Sequence, residues 1–250
     1  LRNIMVDRDE LNNYCDNYLS VSKYKDYGPN GLQVEGSQTI NKIVSGVSAN
    51  LDLIEQAVVE KADAIFVHHG IFWDNESKVI VGAKKKKIEL LIKNQINLFA
   101  YHLPLDDHSK VGNNIELGKR LGITKMRSVE DSLLWQGELS INLSDFERLI
   151  EEKLDRVPQI FGNKRGQIKK IAWCTGAAQG FIEDAINLNV DLYLTGEVSE
   201  KTPAVAKENN ITFISAGHHA TERYGVQALC DHLCSKFRLK HQFIEVSNSV

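Results

Sequence analysis

Two histidine doublets stand where apolar runs end. One is the stretch Gly217-His218-His219-Ala220-Thr221-Glu222-Arg223, after "NITFIS"; the other is "FVHHG", closed by His68, His69 and Gly70. Between them lies "YHLPLDDH", in which Asp106 and Asp107 are flanked by His102 and His108. Pro104 fixes a bend there and removes a donor, which suits a loop that holds a carboxylate rigidly. Imidazole suits zinc, iron, nickel and copper, and carboxylates extend the range toward manganese. Three histidines with two carboxylates exceed what one tetrahedral zinc with an open position needs. They suit two metals sharing a bridging carboxylate, where a bound water becomes a nucleophile at neutral pH.

Each group alone has a plainer explanation. Successive residues of a regular strand point to opposite faces, so His68 and His69 share a ligand only if the chain turns at the strand end, which Gly70 permits. Asp106 and Asp107 are adjacent and diverge, so one of them at most is a ligand. Glu222, in a first helical turn, already gains from the helix dipole. What outweighs these explanations is that all three groups end apolar runs.

Those runs alternate with amphipathic stretches almost without a break, which specifies an α/β fold. The patterns predict helices near 8–20, 51–61, 84–94, 112–121, 144–154, 180–188, 201–209 and 220–237. Strands are predicted at 42–47, 63–68, 96–102, 133–141, 168–174, 191–195, 211–216 and 239–246. "DYGPNGLQVEG" reads as a loop, because its Gly-Pro and Asn-Gly pairs mark turns.

The halves resemble each other. "KIVSGVSANLDLIEQAVVEKADAIFVHHG" (42–70) aligns without gaps on "KIAWCTGAAQGFIEDAINLNVDLYLTGEV" (170–198), with identities that include Lys42/Lys170, Ala49/Ala177 and Asp63/Asp191. "INLFAYH" from Ile96 aligns more loosely on "ITFISAG" from Ile211. A duplicated βαβαβ unit is the simplest origin. The expected architecture is two interlinked similar α/β lobes with helices packed on mixed sheets, residues 1–125 plus 217–250 forming the first and 126–216 the second. Ligands of open α/β sheets gather at the carboxyl ends of strands. The duplication sets His68-His69 opposite Thr195-Gly196-Glu197, and the Asp106 loop opposite "GHHATE".

The composition is that of an ordinary globular protein: 250 residues, 42% hydrophobic, 25% charged, net charge −3. No apolar run approaches the roughly 20 residues that span a bilayer, and the first residues lack a signal peptide's apolar core, so a cytoplasmic protein is expected. Leu1 is not an initiator, and Met5 is the expected natural start. Cys15, Cys174, Cys230 and Cys234 contain no C-x-x-C pair and read as core thiols. Lys84 to Lys87 could meet phosphate or nucleic acid, but fit a solvated helix start better. "GAAQG" (176–180) lacks the full phosphate-loop pattern.

The segments "GPNGLQVEG", "DAIFVHHGIFW", "INLFAYHLPLD", "GNN", "IAWCTG", "TGEVSE" and "GHHATERYG" resemble, in order and spacing, the bacterial YbgI-type, Nif-three-like proteins labelled GTP cyclohydrolase 1 type 2 homologues. The resemblance implies a two-lobed α/β protein with two divalent metal ions per subunit (zinc, manganese, iron or nickel), assembled into a toroidal homohexamer. Carried over, the ligands fall on His68, His69, Asp106, His218 and Glu222, with Glu222 bridging. His68 and Asp106 would serve one metal, His69 and His218 the other, and His219 would support them. His102 and Glu197 become candidates for orienting water or substrate. The implied activity is metal-dependent hydrolysis of a nucleotide or related heterocycle, with Glu222, His102 and Glu197 as catalytic candidates. The alternative is a non-catalytic metal-binding ring that partners protein or nucleic acid.

Overall fold

The computed structural model describes residues 5–163 and 166–250. The expected start at Met5 concerns residues 1–4, which lie outside the described residues. The chain forms two compact units, Leu1–Gly112 with Gly225–Ser247, and Asn113–Tyr224 with Asn248–Val250. The expected breaks stood at 125/126 and 216/217.

In the first unit five strands lie in the order Lys240–Phe243, Lys42–Ser48, Ala64–His69, Asn97–Ala100 and Gly31–Val34. The first four are parallel, and the last runs antiparallel along the edge. Side chains alternate between two cores. Ile43, Phe66 and Phe99 join Leu11, Leu229 and Leu233 on one face, while Val44, Ile65 and Leu98 join Leu53, Ile54 and Leu91 on the other. Burial on both faces is why these strands are continuous apolar runs and not alternating ones.

The second unit carries six strands, in the order Thr124–Ser128, Trp135–Asn142, Gln167–Trp173, Leu192–Thr195, Thr212–Ser215 and Gln159–Gly162. Its central three are parallel and the flanking ones antiparallel. Ile171, Trp173, Leu194 and Ile214 pack with Phe146 and Ile150, whereas Ala172, Tyr193 and Phe213 pack with Ile182, Ala185 and Ala206. The α/β class with mixed sheets is therefore the one expected.

Both units use the same local device. Asp63 Oδ2 accepts from the backbone N–H groups of Asn41 and Lys42, each at 2.9 Å, and Asp191 Oδ2 accepts from Lys169 and Lys170, each at 2.8 Å. The aspartate N–H returns a bond to the carbonyl of Lys42 or Lys170, both at 3.0 Å. Each carboxylate thus ties the start of one parallel strand to the start of the next, a likeness compatible with duplication.

Some expectations need correction. "GPNGLQVEG" is not all loop: Gly31–Val34 pairs with Asn97–Ala100. A short edge strand needs only its ladder bonds, so turn-forming neighbours hid it. The strand Thr124–Ser128 is largely exposed and carries no apolar period to detect. "HLPLDD" is a short helix, Leu103–Asp107, with Pro104 in its first turn, where a missing N–H costs nothing. Gly70 directly follows the strand Ala64–His69, and a Cβ there would lie 2.2 Å from Gln33 Oε1. Cys15, Cys174 and Cys230 are buried thiols, and among the described residues no helix is long and apolar enough to cross a membrane.

Replacing Asp63 by Ala leaves two strand-start N–H groups unpaired and should cost about 2 kcal/mol, read as a thermal midpoint several degrees lower. Asp63→Asn, whose amide oxygen still accepts, should recover part of the loss, and Asp191→Ala at its more exposed site should cost less.

Candidate metal centre

The strand Ala64–His69 ends on both histidines of the first doublet, His68 fully buried and His69 partly exposed. Their ring centroids are 4.6 Å apart, and that of His102 lies 5.0 and 5.7 Å from them. One nitrogen from each ring falls within 4.8 Å of the others, close enough to share a cation.

The three rings are held the same way. His68 Nδ1 is 2.9 Å from the Tyr101 carbonyl, His69 Nδ1 is 3.0 Å from Ser48 Oγ, and His102 Nδ1 is 2.6 Å from Asp26 Oδ1. A carbonyl or carboxylate only accepts, so Nδ1 of His68 and His102 carries the proton and Nε2 is left as the ligating lone pair. Tyr101 is fixed in turn, its buried hydroxyl donating to Asp16 Oδ1 at 3.0 Å. Asp106 completes the group, Oδ1 3.4 Å from His68 Nε2. Asp107 diverges, accepting from the Tyr24 hydroxyl at 3.0 Å, and His108 Nε2 bonds the Tyr18 carbonyl at 3.1 Å. Neither belongs to the cluster.

Asp26 binds more than one ring. Its Oδ1 also accepts from the Tyr27 N–H at 2.7 Å, and its Oδ2 from Asn30 Nδ2 at 2.8 Å and the Leu103 N–H at 2.9 Å. Burial works against the charged carboxylate, but the hydrogen bond from His102, then that from Asn30, overcome it and take the pKa down to about 2. Gln33 secures the chain beyond His69, Oε1 accepting from the Ile71 N–H at 2.8 Å and Nε2 donating to the Pro29 carbonyl at 2.8 Å.

In the second unit the doublet opens a one-turn helix, His218–Thr221, followed directly by Glu222. His218 Nε2 is 3.0 Å from Glu222 Oε2, and its Nδ1 is 2.7 Å from Glu197 Oε1. Burial disfavours the imidazolium, but Glu222 first and Glu197 second more than offset it, raising the pKa to about 9. Such a pocket attracts a cation. Glu197, expected to orient water or substrate, orients the His218 ring. His219 is buried, and its N–H donates to the Val250 carbonyl at 3.0 Å.

Close backbone approach makes room for the Glu222 carboxylate. Gly176, at φ +71°, lies so near it that a Cβ would stand 2.0 Å from Glu222 Oε1. The Gly176 N–H donates to Thr221 Oγ1 at 3.0 Å, and its carbonyl accepts from the Gly196 N–H at 2.9 Å. A Cβ on Gly196 would meet the His218 Cα at 2.6 Å. "GAAQG" therefore cradles a carboxylate of its own chain. Within "GNN", Asn114 supports the same loop, its Oδ1 accepting from the Thr175 N–H at 3.0 Å. Inference from sequence missed Asp26, Ser48 and Gly176; for Asp26 the available signal was its place just before the Gly-Pro-Asn-Gly turn.

Residues 6–249 match the family model described as Duf34/NIF3 (NGG1p interacting factor 3). The chain belongs to the DUF34/NIF3 family. Among curated DUF34/NIF3 relatives, a protein of Allochromatium vinosum named GTP cyclohydrolase 1 type 2 homolog is 45% identical over 98% of both chains. One of the same name from Pseudomonas aeruginosa is 48% identical over 94% of this chain and 95% of its own. Of solved structures, protein ybgI, described as of unknown function, superposes with a TM-score of 0.95 at 42% identity, covering 98% of this chain and all of its own. TTHA1606 of Thermus thermophilus follows at 0.92 and 32% identity, covering 98% and 100%. This DUF34/NIF3 member thus carries His, Asp and Glu groups of metal-binding type.

Loss of a ring-holding partner should lower metal affinity about 10- to 100-fold without unfolding the chain. Glu197→Ala and Ser48→Ala test this by calorimetric titration with zinc, circular dichroism confirming the fold. Asp26 supplies a pH test. Its carboxyl is depressed in the fold, so it stabilises above the unfolded value near 3.9 and that contribution is lost as pH falls toward about 2. Denaturation of wild type and Asp26→Asn should therefore show a stability gap at pH 7 that narrows by pH 3.

Proposed function

We propose that the chain is a metal-dependent hydrolase acting on a nucleotide or related heterocycle, with two divalent ions that His68, His69, Asp106, His218 and Glu222 would hold. The observation that carries this reading is the common anchoring of His68, His69, His102 and His218 by Nδ1. Rings fixed in that way present Nε2, the arrangement of metal-ligating histidines and their outer partners. The donors fit the ions: imidazole and carboxylate together suit zinc, manganese, iron or nickel. The Gly176 cradle, which a Cβ would fill, keeps space for the Glu222 carboxylate. The names of the curated relatives point the same way for the heterocycle.

Such a pair of ions supplies a water nucleophile at neutral pH and stabilises developing negative charge. His102 has the proton on Nδ1 facing Asp26, so its Nε2 can accept a proton from water or return one to a leaving group. Glu197 holds the His218 ring, and Ser48 that of His69. Assembly into a homohexameric ring is part of the proposal.

Elemental analysis of natively purified protein, joined to a nucleotide hydrolase screen on the same sample, tests the reading. Two divalent ions per chain and turnover are expected, with Glu222→Ala losing both turnover and one ion. Undiminished turnover after the metals are removed contradicts it. Bound metals without turnover on any nucleotide would favour the non-catalytic ring.

A further inference from the structure

Tyr27 is 62% exposed, and among the described residues it is the only aromatic side chain so open to solvent. Its backbone is nonetheless firmly held. The Tyr27 N–H donates to Asp26, its carbonyl accepts from the Asp74 N–H at 2.8 Å, and the next residue, Gly28, passes so close to the Phe72 carbonyl that a Cβ would lie 2.4 Å from it. Asp26 is in turn bound to His102 and Leu103. An exposed ring on a fixed loop contributes little to folding and is already ordered for binding.

A second ring stands beside the same histidine. Trp73 lies edge-on to His102, with centroids 5.1 Å apart and an interplanar angle of 87°, and 5.9 Å from His69. Tyr27 reaches His102 at 6.1 Å. Trp135 and Trp173 are buried in the other unit's core, whereas Trp73 is only half-buried. The imidazole nitrogens suited to a cation are thus bordered by aromatic surface that neither the core nor cation binding requires.

We propose that Tyr27 and Trp73 form a stacking site for the planar ring of a purine, which they hold beside His102. Aromatic faces hold bases through their π-surfaces, and a sugar phosphate has no π-face to stack on them. This inference rests on the reading of the centre as a nucleotide or heterocycle site, and it names the part of the substrate that is recognised.

The test is calorimetric titration of the metal-loaded full chain with guanosine 5′-monophosphate and with ribose 5-phosphate, for wild type, Tyr27→Ala and Tyr27→Phe. Wild type should bind the nucleotide at least about tenfold more tightly than the sugar phosphate and show quenched Trp73 emission. Tyr27→Ala should weaken nucleotide binding roughly 5- to 30-fold and leave the sugar phosphate unchanged, and Tyr27→Phe should restore binding. Nucleotide binding that is absent, equal to that of the sugar phosphate, or untouched by Tyr27→Ala overturns the inference. Metal content and turnover on the same samples separate the two claims. Ring-selective binding without turnover counts against hydrolysis alone, and turnover without ring selectivity counts against the stacking site alone.

Discussion

The capture of each imidazole by its Nδ1 is the constraint on which the rest of this protein depends. A histidine on a strand end is free to turn about two side-chain bonds, and ordering it costs entropy. Here the Tyr101 carbonyl, Ser48, Asp26 and Glu197 each fix one ring. The restriction is met in the folded chain before any cation arrives, so binding need not supply it. It also selects the tautomer for His68 and His102, whose partners can only accept.

The sheets exist in a form that makes this possible. Parallel strands covered by helices on both faces end together, and the residues following them are the ones least committed to packing. His68 and His69 close one such strand, and Thr195, Gly196 and Glu197 finish and follow another. The aspartates at the opposite ends, Asp63 and Asp191, set where the strands begin. Through the fixed rise of a strand they also set where the functional residues stand. Glycine does the remaining work in the second unit, Gly176 and Gly196 letting backbone approach Glu222 and His218 more closely than any side chain allows.

Much of this was legible in the sequence, and the reasons it was or was not are physical. The central strands were visible because burial on both faces demands unbroken apolar runs, and the histidine doublets were conspicuous because two adjacent imidazoles at the end of such a run are groups of metal-ligand type. Divergence of Asp106 and Asp107 followed from their adjacency. The edge strand Gly31–Val34 was hidden because its Gly, Pro and Asn neighbours signal turns whether or not a ladder forms beside them. Asp26 was hidden more deeply, since its partners His102 and Leu103 are distant in sequence and its place before the Gly-Pro-Asn-Gly turn marks a turn and not what it binds. Ser48 and Gly176 share that character: each matters through what the fold brings against it.

Anomalous diffraction from crystals of the zinc-loaded protein addresses the central claim most directly, because it shows which nitrogen of each ring meets the metal. The account predicts two anomalous peaks per chain, with Nε2 of His68, His69 and His218 about 2.1 Å from them and every Nδ1 still on its protein partner. Peaks remote from these residues, or rings turned so that Nδ1 becomes the ligand, would contradict it.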